Sequence, residues 1–156
     1  MSASSTARRV AATALAAGAI VSAVALPASA HDGDRHRNPQ VKISRVQADS
    51  PGRENRSNRS LNAEWVELTN TTRHPVNLKG WTLRDEDGNR YRFNDYRLAG
   101  RATVRIHTGE GRDTRTDLFQ DRRDYVWDNN RDKATLRDNR GRTVDTKSWN
   151  NHHHRR

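Results

Sequence analysis

No cysteine occurs among the 156 residues. That excludes disulfide staples, thiolate nucleophiles and cysteine-ligated zinc. Apolar side chains are scarce as well. Beyond residue 30, Leu, Ile, Val and Phe together make up 18 of 126 residues. A share below about 20%, joined to a high net charge, ordinarily describes a disordered chain. No apolar run in that part of the chain approaches the ~20 residues that a membrane helix needs. Two features set the composition apart from disorder. The apolar residues fall at alternating positions, and four Trp and three Tyr bring large areas to bury. The expectation is one small domain with an economical core beneath an unusually charged surface.

The first thirty residues follow a different logic. Arg8-Arg9 form a basic start, Val10 to Leu26 an Ala-rich apolar stretch, and Ala28-Ser29-Ala30 a small-residue cleavage site. This is the pattern of a secretory signal peptide. Val10-Ala11-Ala12 do not extend a twin-arginine signature, so the general export route is expected. The predicted organisation is a signal peptide at 1–30, a flexible polar leader at 31–38, a β-domain at 39–149 and a basic, His-containing tail at 150–156. The predicted location is extracellular, free or associated with the cell wall, with no membrane span after cleavage.

Alternation then places the strands. Val41, Ile43 and Val46 head the first, and the slip from a spacing of two to three predicts a bulge. Residues 49–62 read as a long polar loop. From Trp65 to Thr69, Val66 and Leu68 point inward, with Glu67 and Thr69 on the opposite face. Val76 and Leu78 follow, then Trp81 and Leu83 opposite Thr82 and Arg84, with Gly80 as a bulge or tight bend. Asp85-Glu86-Asp87-Gly88-Asn89 is a hairpin turn, because Asp-Gly supplies positive φ. Tyr91 and Phe93 start the return strand. After a loop that buries Tyr96 or Leu98, Val104 and Ile106 face inward on a strand at 102–107. An irregular stretch, 108–124, tucks in through Leu118 and Phe119. Short strands are expected at 125–127, 134–136 and 143–148, with a hairpin turn at 138–141.

Several of these motifs, in this order, resemble the lamin tail domain. The residues are Glu64-Trp65-Val66-Glu67-Leu68 with Asn70, then Pro75-Val76, Leu78, Gly80-Trp81-Thr82-Leu83, Asp85 and Asp87-Gly88-Asn89. Downstream, Val104 to Gly109, Val126 to Asn129, Ala134 to Asp138, Gly141 and Val144-Asp145-Thr146 continue the likeness, which spans about residues 39 to 149. The resemblance implies an all-β, immunoglobulin-like β-sandwich. It also implies a module that is not itself catalytic and often accompanies secreted nucleases or other hydrolases. Within these residues no catalytic partner accompanies it.

Sites for chemistry are few. Asp85 to Asn89 carries acids at alternating positions, but Gly88 and Tyr96 stand where an EF-hand needs neither, so the turn reading leads. A calcium site assembled from several loops stays open. Gly109 and Gly111 are followed by Arg112-Asp113 rather than the Lys-Ser or Lys-Thr of a phosphate loop. His31, Asp32, Asp34 and His36 could hold a metal, but no partner ligands follow, and a solvated leader is the simpler reading. His152, His153 and His154 likewise belong to a solvated basic tail. No serine elbow is present, His74 and His107 lie in or beside loops, and Glu64 with Glu67 reads as a carboxylate pair on a solvated strand face. No cofactor is expected.

Charge is the remaining signal. Lys and Arg number 29 against 19 acids, and 25 of the 29 are Arg. Without residues 1–30 the balance is 27 against 19, a net charge of +8. Arg presents a planar donor fork suited to phosphate, sulfate and carboxylate. Arg112, Arg115, Arg122, Arg123, Arg131, Arg137, Arg140 and Arg142 crowd the last third. Arg122-Arg123 beside Tyr125 and Trp127 is a basic-aromatic mix of the kind that holds single strands or other polyanions. The expected partner is an extracellular polyanion, DNA or an anionic cell-wall polymer. The competing readings are a charged shell that serves solubility alone, a protein docked on a sheet edge, and a small hydrolase or phosphodiesterase.

Overall fold

The structure, a computed structural model, describes residues 38–151. The predicted signal peptide, the leader before Asn38 and the tail after Asn151 lie outside the described residues. Ten strands and one short helix are found among them. In chain order they are β1 (Val41–Gln47), α1 (Asn58–Ala63), β2 (Trp65–Asn70), β3 (Val76–Asn77), β4 (Thr82–Arg84), β5 (Arg90–Arg92), β6 (Arg97–Leu98), β7 (Thr103–His107), β8 (Asp117–Phe119), β9 (Arg131–Arg137) and β10 (Thr143–Asn150). The one helix is far too short and polar to cross a membrane.

Alternation does what period-two patterning requires. One sheet runs β1-β2-β7-β8 and the other β10-β9-β4-β5, with β3 and β6 as a separate ribbon. Val41, Ile43, Val66, Leu68, Val104, Ile106 and Leu118 from the first meet Leu83, Ala134 and Leu136 from the second, with Phe93 just after β5, in one buried core. This is an all-β sandwich of two layers, each hydrophobic on its inner face. The predicted bulge in β1 is present, as a register shift between Ile43 and Arg45. A second shift lies between Thr143 and Asp145 in β10. The Asp145 carboxylate accepts from the Ile43 N–H at 2.7 Å, closing the seam between the two edge strands.

Three expectations are corrected. The polar loop at 49–62 contains α1. Ser57 caps it by accepting from the Ser60 N–H, and Leu61 is its buried anchor. Asn58 and Asn62, one turn apart, both donate to the Glu110 carbonyl at 2.9 Å, so the loop opposite holds the helix together with its one apolar anchor. The irregular stretch hides β8, which joins β7 in parallel. Residues 125–127 form no strand, because the Val126 N–H is taken by the Glu64 carboxylate instead of a ladder.

Asn70 fixes the β3–β6 ribbon to the end of β2. Its fully buried amide donates to the carbonyls of His74, Leu98 and Ala99 at 2.8, 3.2 and 3.0 Å, while its oxygen accepts from the Thr72 N–H and hydroxyl. Asn70→Ala strands these groups and is expected to lower stability by about 2 kcal/mol. Urea unfolding measures this, and a loss below ~0.5 kcal/mol would show the network to be dispensable.

Candidate polyanion-binding face

The outer surface of the β10-β9-β4-β5 sheet is built by register. Thr82 lies opposite both Arg92 and Arg137, and Arg84 lies opposite both Arg90 and Thr135. β10 adds Thr143 beside Arg137 and Thr146 beside Thr135. Two adjacent rows result, Arg92-Thr82-Arg137-Thr143 and Arg90-Arg84-Thr135-Thr146. They hold four guanidiniums and hydroxyls and no carboxylate.

The rows carry a cost. Phe93 and Asp85 donate backbone bonds to Trp81 and Asn89, so Arg84 and Arg90 form a non-hydrogen-bonded cross-strand pair, the closer of the two antiparallel geometries. Like charges directly opposite are destabilising. None of the four Arg forms an ion pair with a described carboxylate. The Nε–H groups of Arg84 and Arg137 are buried with no acceptor among the described residues. Thr135 faces outward yet is buried, as expected where long Arg stems fold over a short neighbour. Gly80 has φ 79°, and a Cβ there would stand 3.3 Å from the Asn139 Cβ, while the Arg92 guanidinium lies at ordinary contact distance.

The eight Arg residues singled out in the sequence do not form one cluster. Arg137 lies on this face. Arg122 reaches its rim, donating from Nη2 to the Arg90 carbonyl at 3.2 Å. Arg131 shares the face but sits six residues from Arg137, about 20 Å along the strand. Arg112 and Arg115 stand on the exposed loop before β8. Arg123 pairs with Glu110, Arg142 pairs with Asp138, and Arg140 occupies the β9–β10 turn. The basic-aromatic mix is taken apart. Trp127 is 2% exposed, and the Tyr125 hydroxyl is bonded to Ser60 Oγ at 2.6 Å. Arg84, Arg90 and Arg92 were missed by sequence reasoning. Alternation put them outside, but only strand register unites them.

Other candidate chemistry resolves into structure. Asp85 receives the Asn89 N–H at 2.7 Å, and Gly88 has φ 97°, so the acidic stretch is the expected turn. Among the described residues no three His, Asp or Glu side chains gather as a metal site requires. Gly109 packs against Asn58 and Asn62, and Gly111 against the Phe119 ring, so neither forms a phosphate cradle. His107 directs Nδ1 at the Asn62 carbonyl and Nε2 at Asp117, at 2.7 and 2.9 Å. The Thr116 hydroxyl and then His107 hold the Asp117 carboxyl below its ordinary range. Among the described residues no Ser or Thr hydroxyl is bonded to a histidine ring, as an activated nucleophile would be.

Glu64 and Glu67 are not on a solvated face. They are 0% and 8% exposed. Glu67 is held by Arg105 at 3.2 Å, and the Arg105 guanidinium also lies 4.2 Å over the Trp65 ring. Glu64 ties three segments together. Its backbone carbonyl accepts from the Thr108 N–H, and its Oε1 accepts from the Thr108 hydroxyl and, at 2.9 Å, from the Val126 N–H. Oε2 has no partner among the described residues. Burial pushes its pKa up to about 7, against the opposing pull of those donors.

Comparison with known families matches the Lamin Tail Domain across residues 35–151. The chain belongs to the lamin tail domain family. No curated protein matches it. The match covers every described strand, so the Arg face, the Glu64 junction and the Asn70 anchor all lie inside the lamin tail domain. The expected all-β fold follows from the same match together with the two packed sheets.

Proposed function

We propose that this lamin tail domain is a secreted, non-catalytic attachment module that binds an extracellular polyanion through the outer face of its β10-β9-β4-β5 sheet. The signal-like segment at 1–30 supports secretion. One observation carries the binding reading: Arg84, Arg90, Arg92 and Arg137 stand on two adjacent rows without a carboxylate between them. A fold gains nothing from crowding like charges, whereas a phosphate-bearing polymer relieves the repulsion and supplies the missing acceptors. No aromatic side chain stands in these rows. Recognition therefore rests on charge and hydrogen bonding to the polymer backbone, without base stacking. DNA and a phosphate-bearing cell-wall polymer share this chemistry.

The sheet-edge reading has less behind it. At the β10 edge the Asp145 carboxylate accepts from the Ile43 N–H of β1. Along β8, Thr114 N–H donates to the Asp117 carbonyl and Phe119 N–H to Asp113. β5 is three residues long, and Arg122 already occupies its Arg90 carbonyl.

The test is competition. Purified protein is bound to labelled duplex DNA and challenged with single-stranded DNA, a poly(glycerol phosphate) and a neutral polysaccharide. Charge-driven binding predicts that every phosphate polymer competes and that the polysaccharide does not. Selective competition by single strands, or none by any polymer, would contradict it.

A further inference from the structure

A separate cavity of about 410 Å³ opens at the end of the other sheet. Lys42 of β1 and Thr69 of β2 are a cross-strand pair and form one wall. The turn before β7 brings Arg101 to the other. Arg101 N–H donates to the Thr72 carbonyl, and Asn70 N–H to the Ala102 carbonyl, so this turn is clamped to the end of β2. The Thr71 hydroxyl donates to the Pro39 carbonyl at 2.7 Å and holds the incoming chain in place, which positions Asn38 as a third wall.

The polarity of the walls is one-sided. Two cations, two hydroxyls and amides line the cavity, with no carboxylate among its described walls. Neither Lys42 nor Arg101 forms an ion pair with a described carboxylate. The Thr69 and Thr71 hydroxyls already donate, to Ser44 and Pro39. Arg101 has a φ of 62°, a left-handed backbone that a residue with a Cβ rarely adopts and glycine takes freely. A long charged residue therefore stands where the turn itself favours glycine, and it lines a cavity with a second cation. Strain kept at such a position accompanies binding sites.

We propose that this cavity is a small-oxyanion site, which takes a phosphate or sulfate group of a small molecule between the Arg101 fork and the Lys42 ammonium. The guanidinium supplies parallel donors, the ammonium a point charge, and Asn38 an amide donor. The volume lies in the range of small-ligand sites and leaves room for more than the bare ion. The inference does not depend on the polyanion reading, because it uses neither that face nor any of its residues.

The experiment is a titration of the purified protein with inorganic phosphate and with sulfate, each followed by amide NMR shifts at constant ionic strength in a chloride background. Saturable shifts confined to Lys42, Thr69 to Thr72 and Gly100 to Ala102 are expected, and the two arms separate phosphate from sulfate preference. Arg101→Gly is expected to abolish saturation without lowering the melting temperature, since glycine suits that turn. Lys42→Ala is expected to weaken binding tenfold or more. Should Arg101→Gly unfold the turn, Arg101→Lys keeps the charge, removes the fork and is expected to weaken binding. Shifts that never saturate, that map to Arg84 or Arg92 and leave Arg101 and Lys42 unmoved, or that persist unchanged in Arg101→Gly and Lys42→Ala would overturn the proposal.

Discussion

Glu64→Gln should make the protein more stable at pH 8 and leave it unchanged at pH 4. The carboxyl ordinarily titrates near 4.5 and is raised to about 7 by burial in the fold. Between those values the folded state holds a proton that the unfolded chain has released. Stability therefore falls as pH climbs through this window and is lowest above it. A shift of this size corresponds to about 3 kcal/mol. Glutamine retains the oxygen that accepts from Thr108 and Val126 and never ionises. It should remove the slope and raise the melting temperature at pH 8 by about 10 °C. The lowered carboxyls do not confuse the test. Asp117 is held down by Thr116 and His107, and Asp128 by the backbone N–H groups of Arg131 and Asn130. Their contributions are lost only as pH falls below the ordinary carboxylate range. Thermal melts from pH 4 to pH 8 decide the matter, and a glutamine variant that keeps the wild-type slope would show that Glu64 does not titrate as described.

The second large effect concerns Arg84, Arg90, Arg92 and Arg137. Replacing all four with threonine, a residue that already fills the other positions of the same rows, removes four phosphate contacts. Each contact on duplex DNA releases about 0.9 counterions, so four together are worth about 10³-fold in affinity at physiological salt. The fold should not suffer. Threonine suits a strand, and loss of the Arg84–Arg90 repulsion adds a few tenths of a kcal/mol. Binding that falls while the melting temperature holds or rises assigns the effect to the face. A variant that binds as well as wild type would move the site elsewhere, with Arg112 and Arg115 on the exposed loop as the next place to look.

Much of this was legible in the residues. Alternation located the inner faces of β1, β2, β4 and β7, because an amphipathic strand writes its burial at a period of two. Asp87-Gly88 and Asp138 to Gly141 marked their turns through backbone chemistry alone. The missed parts depend on partners distant in sequence. α1 is short and polar, and beyond the single buried Leu61 it is held by Asn58 and Asn62 gripping Glu110, fifty residues on. β8 has only three residues, and its pairing is parallel, so no hairpin signal precedes it. Glu64 and Glu67 look like surface residues until Val126, Thr108 and Arg105 are brought to them. The Arg face failed for the same reason. Counting charge along the chain favours the crowded last third, whereas register places Arg84, Arg90 and Arg92 beside a single member of that group, Arg137.

The most direct test is the salt dependence of duplex binding by the wild-type protein and the fourfold threonine variant, measured by anisotropy from about 50 to 200 mM salt. The account predicts a straight line of log affinity against log salt for the wild type, with a variant slope shallower by about 3 to 4. Equal slopes in the two proteins would contradict it, because the four guanidiniums would then displace no counterions.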